Sequence, residues 1–353
     1  MAETKFSKFK RPDPSDVDRG RISDRDLDII EAVLRYRFLP ATELVRLVGG
    51  NEDVTHRRLR KLWEWGYINR WAFPDIRKRH GEFHYYLDDH RALELLATHR
   101  RFEAHPSMYE ELGNNREKNY ADAAMQGQLK HGQLMFLHHE LTISRLHFML
   151  EMACRKSGGQ VELAGWQQGS HLRAKVLVPE IKSTRMGGSN EYLWGEGQGQ
   201  ESLPVEPDAL FSLHFPSRPA DQQYFHFCYE ADRGSMTSAD MLRKFRAYYH
   251  FIKKQQGHKQ AFGVHPIRAV LIEAPDEPRG RKLMELALHP LVSGPNKRAG
   301  LYWFTVSALF TAPAEGGSVA DYLDRPEIIL DPIWALPDRS MHTLADAENA
   351  ERA

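Results

Sequence analysis

Apolar residues recur at helical spacing through Leu27, Ile29, Ile30, Val33 and Leu34, directly after Ser23-Asp24-Arg25-Asp26. A side-chain cap followed three residues later by an acid is a capping box, so the pattern predicts an amphipathic helix over residues 23–36. Pro40 breaks it. Thr42 is placed to cap a short second helix over 43–48, which Gly49-Gly50 ends. A third helix starts near 51–53 with Val54, Leu59, Leu62 and Trp63 on one side and His56, Arg57, Arg58, Arg60 and Lys61 on the other. After Gly66 the period shortens to two. Residues 67–71 and 83–87 read as aromatic strands around a basic turn, 74–81, that carries Arg77, Lys78 and Arg79. A further helix runs from Asp88 and Asp89 through Leu93, Leu95 and Leu96.

Beyond this block the chain turns polar. Residues 101–132 hold few large apolar groups and are expected to be a linker. Apolar density returns in a helix from Leu134 to Leu150, and 161–166, 208–215 and 224–230 read as strands. Residues 181–203, rich in Gly, Ser, Asn and Glu, are expected to form a mobile insertion. A helix through Met241, Phe245 and Phe251, a strand at 267–272 that is apolar apart from Arg268, a helix at 281–288 and a strand at 301–306 complete the pattern. The fold class predicted is α+β or α/β: an N-terminal winged helix-turn-helix followed by a mixed-sheet α/β domain. The boundaries expected are a disordered tail (1–22), a winged-helix domain (23–100), a linker (101–132), the sheet domain (133–336) and a C-terminal tail (337–353).

Composition changes this picture little, and local charge changes it more. Over 353 residues, Lys+Arg and Asp+Glu are both 48, so no global field draws the protein to nucleic acid or membrane. Yet residues 55–80 hold eight Arg and Lys against only Glu64 and Asp75, a clustered surplus of the kind that marks a nucleic-acid footprint. A solvated helix face is the plainer explanation of such a run. Here the basic groups fall on the third helix and the turn between the strands, the two elements that would touch DNA. His56, Arg57, Arg58, Arg60, Lys61, Arg70, Arg77, Lys78 and Arg79 are therefore the candidate DNA-binding residues. No apolar run reaches the ~20 residues of a membrane span, the N-terminus has no signal-peptide core, and two cysteines exclude a disulfide framework. A cytoplasmic location is expected.

Candidate chemistry sits at the open end of a hairpin. Pairing strand 208–215 with 224–230 about their loop sets Asp208 nearly opposite Glu230, where Cβ atoms lie about 4.5–5.5 Å apart. Like charges so placed call for a cation, and hard oxygen ligands suit Mg²⁺, which makes Asp208 and Glu230 the candidate metal ligands. Asp232 lies two residues further on. Strand-end acids forming surface ion pairs with Arg233, Arg243 or Lys244 are the simpler reading of the spacing alone. Pro207-Asp208 followed by Glu230 and a helix resembles the PD-(D/E)xK nuclease core. The longer run PDALFSL and then YFHFCYEADRGSMTSADMLRKFRAYYHF is similar to the bacterial replication-relaxation family of plasmids and other mobile elements. LYWFTVSALF and Asp331–Trp334 fit the same family.

The resemblance implies a winged helix joined to a nuclease-like domain, with Asp208, Glu230, Asp232 and Lys244 as catalytic candidates. One position departs from the nuclease pattern: Asp232 stands where a lysine orients the attacking water. Lys244, on the next helix, could supply that amine from a different backbone position, and Glu140 could add a carboxylate; exposed or locally paired charges are the plainer roles for both. Other chemistry is absent from the sequence. No His-x-His accompanies Tyr248-Tyr249 for a relaxase, no phosphate-binding loop exists for a nucleotide cofactor, and His138-His139-Glu140 lacks zinc-protease spacing. The expectation is a double-stranded-DNA-binding protein of a mobile element, acting in replication, mobilisation or its transcriptional control. It is expected to form a homodimer, to avoid membranes, and to have a weak or inactive nuclease-like domain. The alternatives are a Mg²⁺-dependent endonuclease that nicks near its bound site, and a protein-interaction adaptor.

Overall fold

The computed structural model describes residues 11–72, 82–87, 90–99, 131–185, 192–293, 300–311 and 321–346. Its contacts divide the chain into two compact units, Met1–Phe148 and Met149–Ala353. The protein is mixed α and β, as its hydrophobic periods predict.

The first unit begins with α1 (Asp24–Tyr36), where the backbone N–H and hydroxyl of Ser23 both donate to Asp26 at 2.6 Å. This is the capping contact the sequence calls for. Leu27, Ile29, Ile30 and Val33 bury one face of the helix. A short strand β1 (Leu39–Pro40) leads into α2 (Ala41–Val48), whose N-cap is Pro40 rather than Thr42; the Thr42 N–H instead donates to Glu82. Gly49 and Gly50, with φ of 68° and 74°, turn the chain into α3 (Glu52–Glu64), capped by the Asn51 side chain on the Val54 N–H at 2.9 Å. Only glycine suits position 50, because a Cβ there would also lie 2.3 Å from the Arg25 guanidinium. That guanidinium is fixed on the Gly49 carbonyl and the Thr55 hydroxyl. β2 (Ile68–Ala72) and β3 (Phe83–Leu87) pair antiparallel with Ile68 opposite Leu87, β1 adds to β3, and α4 (His90–Thr98) follows.

Two boundaries of this unit differ from expectation. Residues 11–22 are not a free tail: the Trp65 indole donates to the Asp18 carbonyl at 3.2 Å, and Arg58 donates to the Arg21 carbonyl at 3.3 Å. Residues 1–10 lie outside the described residues, as does most of the expected linker, 101–132. The long helix α5 (His131–Lys156) was expected to open the second domain. Instead its residues up to Phe148 group with the first unit. Leu137 joins Phe38, Trp71 and Tyr86 in one buried cluster, Ser144 donates to the Phe38 carbonyl at 2.7 Å, and His147 stacks on Tyr36 at 4.0 Å.

The second unit is built on a seven-stranded sheet of order β12-β11-β10-β9-β8-β7-β4. Its strands are β4 (Glu162–Gln167), β7 (Ala209–His214), β8 (Tyr224–Ala231), β9 (Ile267–Ala274), β10 (Tyr302–Val306), β11 (Trp334–Ala335) and β12 (Met341–His342). β8, β9 and β10 run parallel and the remaining pairs antiparallel. Every residue of β9 is buried, Arg268 and Glu273 included, as befits a mostly apolar strand at the centre of a parallel core. α6 (Ser238–Tyr249) follows β8, and α7 (Glu277–Ala287) connects β9 to β10. Leu210, Cys228, Val270, Ile272, Tyr302 and Phe304 on one sheet face join Met241, Leu242, Phe245 and Tyr248 of α6 in the main core.

Within the expected mobile insertion, 181–203, the described residues 181–185 and 192–203 are strand. β5 (Ala174–Arg185) and β6 (Tyr192–Val205) form a long antiparallel hairpin, with residues 186–191 outside the described residues. Val176, Val178, Leu203 and Val205 bury one face of it in the core. Arg246 of α6, itself fully buried, donates to the Pro179 carbonyl at 2.7 Å and to Glu201 at 3.2 Å, which ties the hairpin to the helix. The expected C-terminal tail is also partly folded: Met341–His342 pairs with β11 and Leu344 is fully buried.

Candidate functional site

The sequence singles out two places: the polar face of α3 in the first unit and the strand-end acids in the second.

On α3, Thr55, Leu59, Leu62 and Trp63 are buried, which leaves His56, Arg57, Arg60 and Lys61 exposed together. Their restraints are light. His56 approaches Glu52 at 3.4 Å, Arg60 pairs with Glu64 at 2.8 Å, and Arg57 donates to the backbone carbonyl of Asp53 at 3.3 Å. Exposed i,i+4 pairs of this kind contribute only about 0.3–0.5 kcal/mol, so a phosphate can compete for these groups. Arg58 is different. Its guanidinium forks onto both oxygens of Asp26, whose surface is fully buried, and lies 5.2 Å from the Trp65 ring. Arg70 is held between the rings of Trp63 at 3.7 Å and Phe83 at 4.1 Å, and burial lowers its pKa. These two candidates are therefore engaged inside the unit. Arg77, Lys78 and Arg79 lie outside the described residues.

In the second unit β7 and β8 pair with Ala209 opposite Tyr229, a register that sets Asp208 opposite Glu230. The Asp208 N–H donates to the Tyr229 carbonyl at 3.0 Å, and its carboxylate accepts the Ala231 N–H at 2.8 Å, so Asp208 hooks onto the end of β8. Glu230 is buried and faces α6. Lys244 donates to Oε2 of Glu230 and the Tyr248 hydroxyl to Oε1, two residues one helical turn apart gripping one carboxylate. Burial raises the Glu230 pKa to about 7 against the opposing pull of Lys244, with Asp208 adding to the rise. Burial pulls the Lys244 pKa down, but Glu230 and Asp208 outweigh it and the net shift is upward, toward the charged form. Lys244 is thus a partly buried partner of the acid cluster rather than a solvated helix charge.

Asp232, where the nuclease pattern has lysine, is paired. Arg279 of α7 donates to both its oxygens, at 2.7 and 3.1 Å, and to the Met236 carbonyl at 3.2 Å. Glu140 lies in the first unit and approaches His139 at 3.3 Å. On the opposite sheet face a second acid, Glu273, accepts from the hydroxyls of Tyr229 at 2.8 Å and Ser307 at 2.5 Å. Tyr248, Arg279 and Glu273 were not anticipated as parts of this end of the sheet. Their spacing carried one usable signal, the i,i+4 step from Lys244 to Tyr248.

The acid cluster as built does not fit a hydrated Mg²⁺. Both oxygens of Glu230 and both of Asp232 accept hydrogen bonds from side chains, three of the four from cationic groups. A divalent ion about 4 Å from the Lys244 ammonium would be repelled by roughly 8 kcal/mol at an effective dielectric near 20. Among the described residues no group of three or more His, Cys, Asp or Glu side chains is spaced to hold a metal ion. What the arrangement can do is hold charge in place: it locks α6 and α7 to the ends of β7 and β8 through buried ion pairs.

None of the described helices is long and apolar enough to cross a membrane. No curated protein and no solved structure matches the chain. A family model does, over residues 32–266, a span that takes in α3, the hairpin, Asp208, Glu230 and α6 and covers well over half of the sequence. On that match the protein belongs to the replication-relaxation family.

Proposed function

We propose that this protein binds double-stranded DNA during replication or mobilisation of a mobile element, with α3 as the element that docks. On this reading the first unit is a winged helix: α2, the Gly49-Gly50 turn and α3 form the helix-turn-helix, and β2 and β3 form the wing. The observation that carries it is the segregation along α3, where His56, Arg57, Arg60 and Lys61 share an exposed face opposite buried Leu59, Leu62 and Trp63. A helix anchored on one side and basic on the other can enter the major groove, give its side chains to phosphates and bring its polar groups to base edges.

The second unit supplies a nuclease-like sheet without a metal-ready centre, and its roles on this reading are dimerisation and DNA handling. One contact, the amine of Lys244 on Glu230, favours the endonuclease alternative, since that reading needs an amine at the acids. The same contact occupies the carboxylate, and DNA binding without hydrolysis is the better account. The test is to sequence the DNA that purified full-length protein retains from a random pool. Enrichment of a common site supports the proposal. Retention that is sequence-independent, or none at all, contradicts it.

A further inference from the structure

From Met241 to Ile272 the chain carries seven Arg and Lys and no Asp or Glu. The first three meet acids from elsewhere in the second unit. Arg243 and Arg246 pair with Glu201 of β6, at 3.6 and 3.2 Å, and Lys244 pairs with Glu230 of β8. Past Tyr249 that supply ends. α6 runs into a single π-helical turn, His250–Lys254, and among the described residues Lys253, Lys254 and Lys259 have no acid within ion-pair distance. Burial and the charge of Arg268 lower the Lys253 pKa, and burial and Lys259 lower that of His265, with no carboxylate pulling either back. Burial, Arg246 and Lys254 likewise lower that of His250, here against Glu196.

These lysines sit on a packed scaffold. Gly257 lets the chain fold back, since a Cβ there would lie 2.6 Å from the Phe251 ring, and Phe262 packs on the same ring at 5.3 Å. The π turn then exposes Lys254, and the helical turn His258–Ala261 exposes Lys259 and Gln260. Gln255 between them donates to the Leu177 carbonyl of β5 at 2.7 Å. On that strand Lys175 and Leu177 are exposed and alternate with buried Val176 and Val178, and their cross-strand partners, Pro204 and Ser202, are not acidic. Lys175, Lys254 and Lys259 are thus gathered where β5 meets the turns that follow α6.

We infer that Lys175, Lys254 and Lys259 form a second contact for double-stranded DNA, on the sheet unit, which holds the phosphate backbone without reading sequence. A duplex carries one charge per about 1.7 Å of axis, so a cation group free of acids complements it. The exposed amides of Gln256 and Gln260 can donate to phosphate oxygens alongside the lysines. Leu177 alone is too little apolar surface to enter a membrane interface. This inference rests on the reading of the protein as DNA-binding, and it does not need α3 to be the element that docks.

The test measures binding of full-length protein to a labelled duplex of random sequence at pH 8 across a salt series. Four proteins are compared: wild type, Lys175→Gln/Lys254→Gln/Lys259→Gln, the Arg57→Ala/Arg60→Ala/Lys61→Ala variant of α3, and the two sets combined. Lys254→Gln/Lys259→Gln stands in if the first triple variant fails to fold. The lysine variant should lose at least about tenfold in affinity and flatten the slope of log K against log salt by about 2.7, roughly 0.9 for each contact. Adding it to the α3 variant should flatten the slope again by a similar amount. A folded lysine variant with wild-type affinity and slope overturns the inference and leaves α3 docking standing. Loss of slope in the lysine variant but none in the α3 variant supports the inference and removes α3 docking. Wild type that retains no duplex overturns both. If these lysines bind phosphatidylserine vesicles while duplex binding is indifferent to them, the partner is a membrane and the inference fails.

Discussion

Arg58 of α3 forks onto Asp26 of α1, a carboxylate with no exposed surface that also accepts from the N–H and hydroxyl of Ser23. One side chain thereby caps α1 and fastens α3 to it. The basic stripe of α3 accordingly has two functions. Arg58 faces inward and maintains the unit, while His56, Arg57, Arg60 and Lys61 face outward.

Replacing Arg58 should therefore damage folding. Arg58→Ala leaves a buried carboxylate without its partner, and such truncations cost about 3–5 kcal/mol. Arg58→Lys should recover only part of the loss, because an ammonium cannot present the planar fork. Urea unfolding of the two variants checks this; a midpoint unchanged in Arg58→Ala would mean the ion pair is not formed in solution.

Arg279→Met should likewise destabilise the second unit, by about 3 kcal/mol, since it strips both donors from Asp232. Asp232→Lys restores the residue type of the nuclease pattern but sets it against Arg279. It should lower the melting temperature and produce no DNA cleavage. A stable, cleaving Asp232→Lys protein would contradict this account of the cluster.

The Glu230 carboxyl, raised to about 7 mainly by burial, makes a signed prediction about pH. The unfolded chain ionises it near pH 4.5, so between there and pH 7 the folded state holds more protons. Its contribution is complete below pH 4.5 and is lost as pH rises through 7, with a full size on the order of 3 kcal/mol. In Glu230→Gln this component should vanish, so the difference in unfolding free energy between pH 5.5 and pH 8 should change relative to wild type. Parallel curves for the two proteins would show that Glu230 ionises normally in the folded state.

Wild-type protein should leave supercoiled plasmid intact in Mg²⁺. Metal-dependent nicking that Asp208→Asn abolishes would instead establish the endonuclease reading.

What could be read from the sequence was mostly local. The α1 cap, the apolar side of α3 and the register of Asp208 against Glu230 all follow from spacings of a few residues or from a hairpin whose loop fixes the pairing. Lys244 could be named because its helix directly follows β8. Arg58 could not be separated from its basic neighbours, since Asp26 lies 32 residues earlier. Arg279, 47 residues beyond Asp232, arrives only through a parallel crossover. The β5–β6 hairpin was missed because Gly195, Gly197 and Gly199 interrupt its alternation. A Cβ at Gly197 would lie 2.7 Å from the Glu180 carboxylate across the pair, so packing explains what composition made look like a loop.

The central claim, that α3 docks on DNA, is tested most directly by the salt dependence of binding to a site selected from the random pool. Arg57, Arg60 and Lys61 are replaced together by Ala, with Arg58 left in place to keep the unit folded. If these three meet phosphates, affinity should fall strongly and the slope of log K against log salt should flatten by about 2.7, roughly 0.9 for each contact. A folded triple variant with the affinity and slope of wild type would contradict the account.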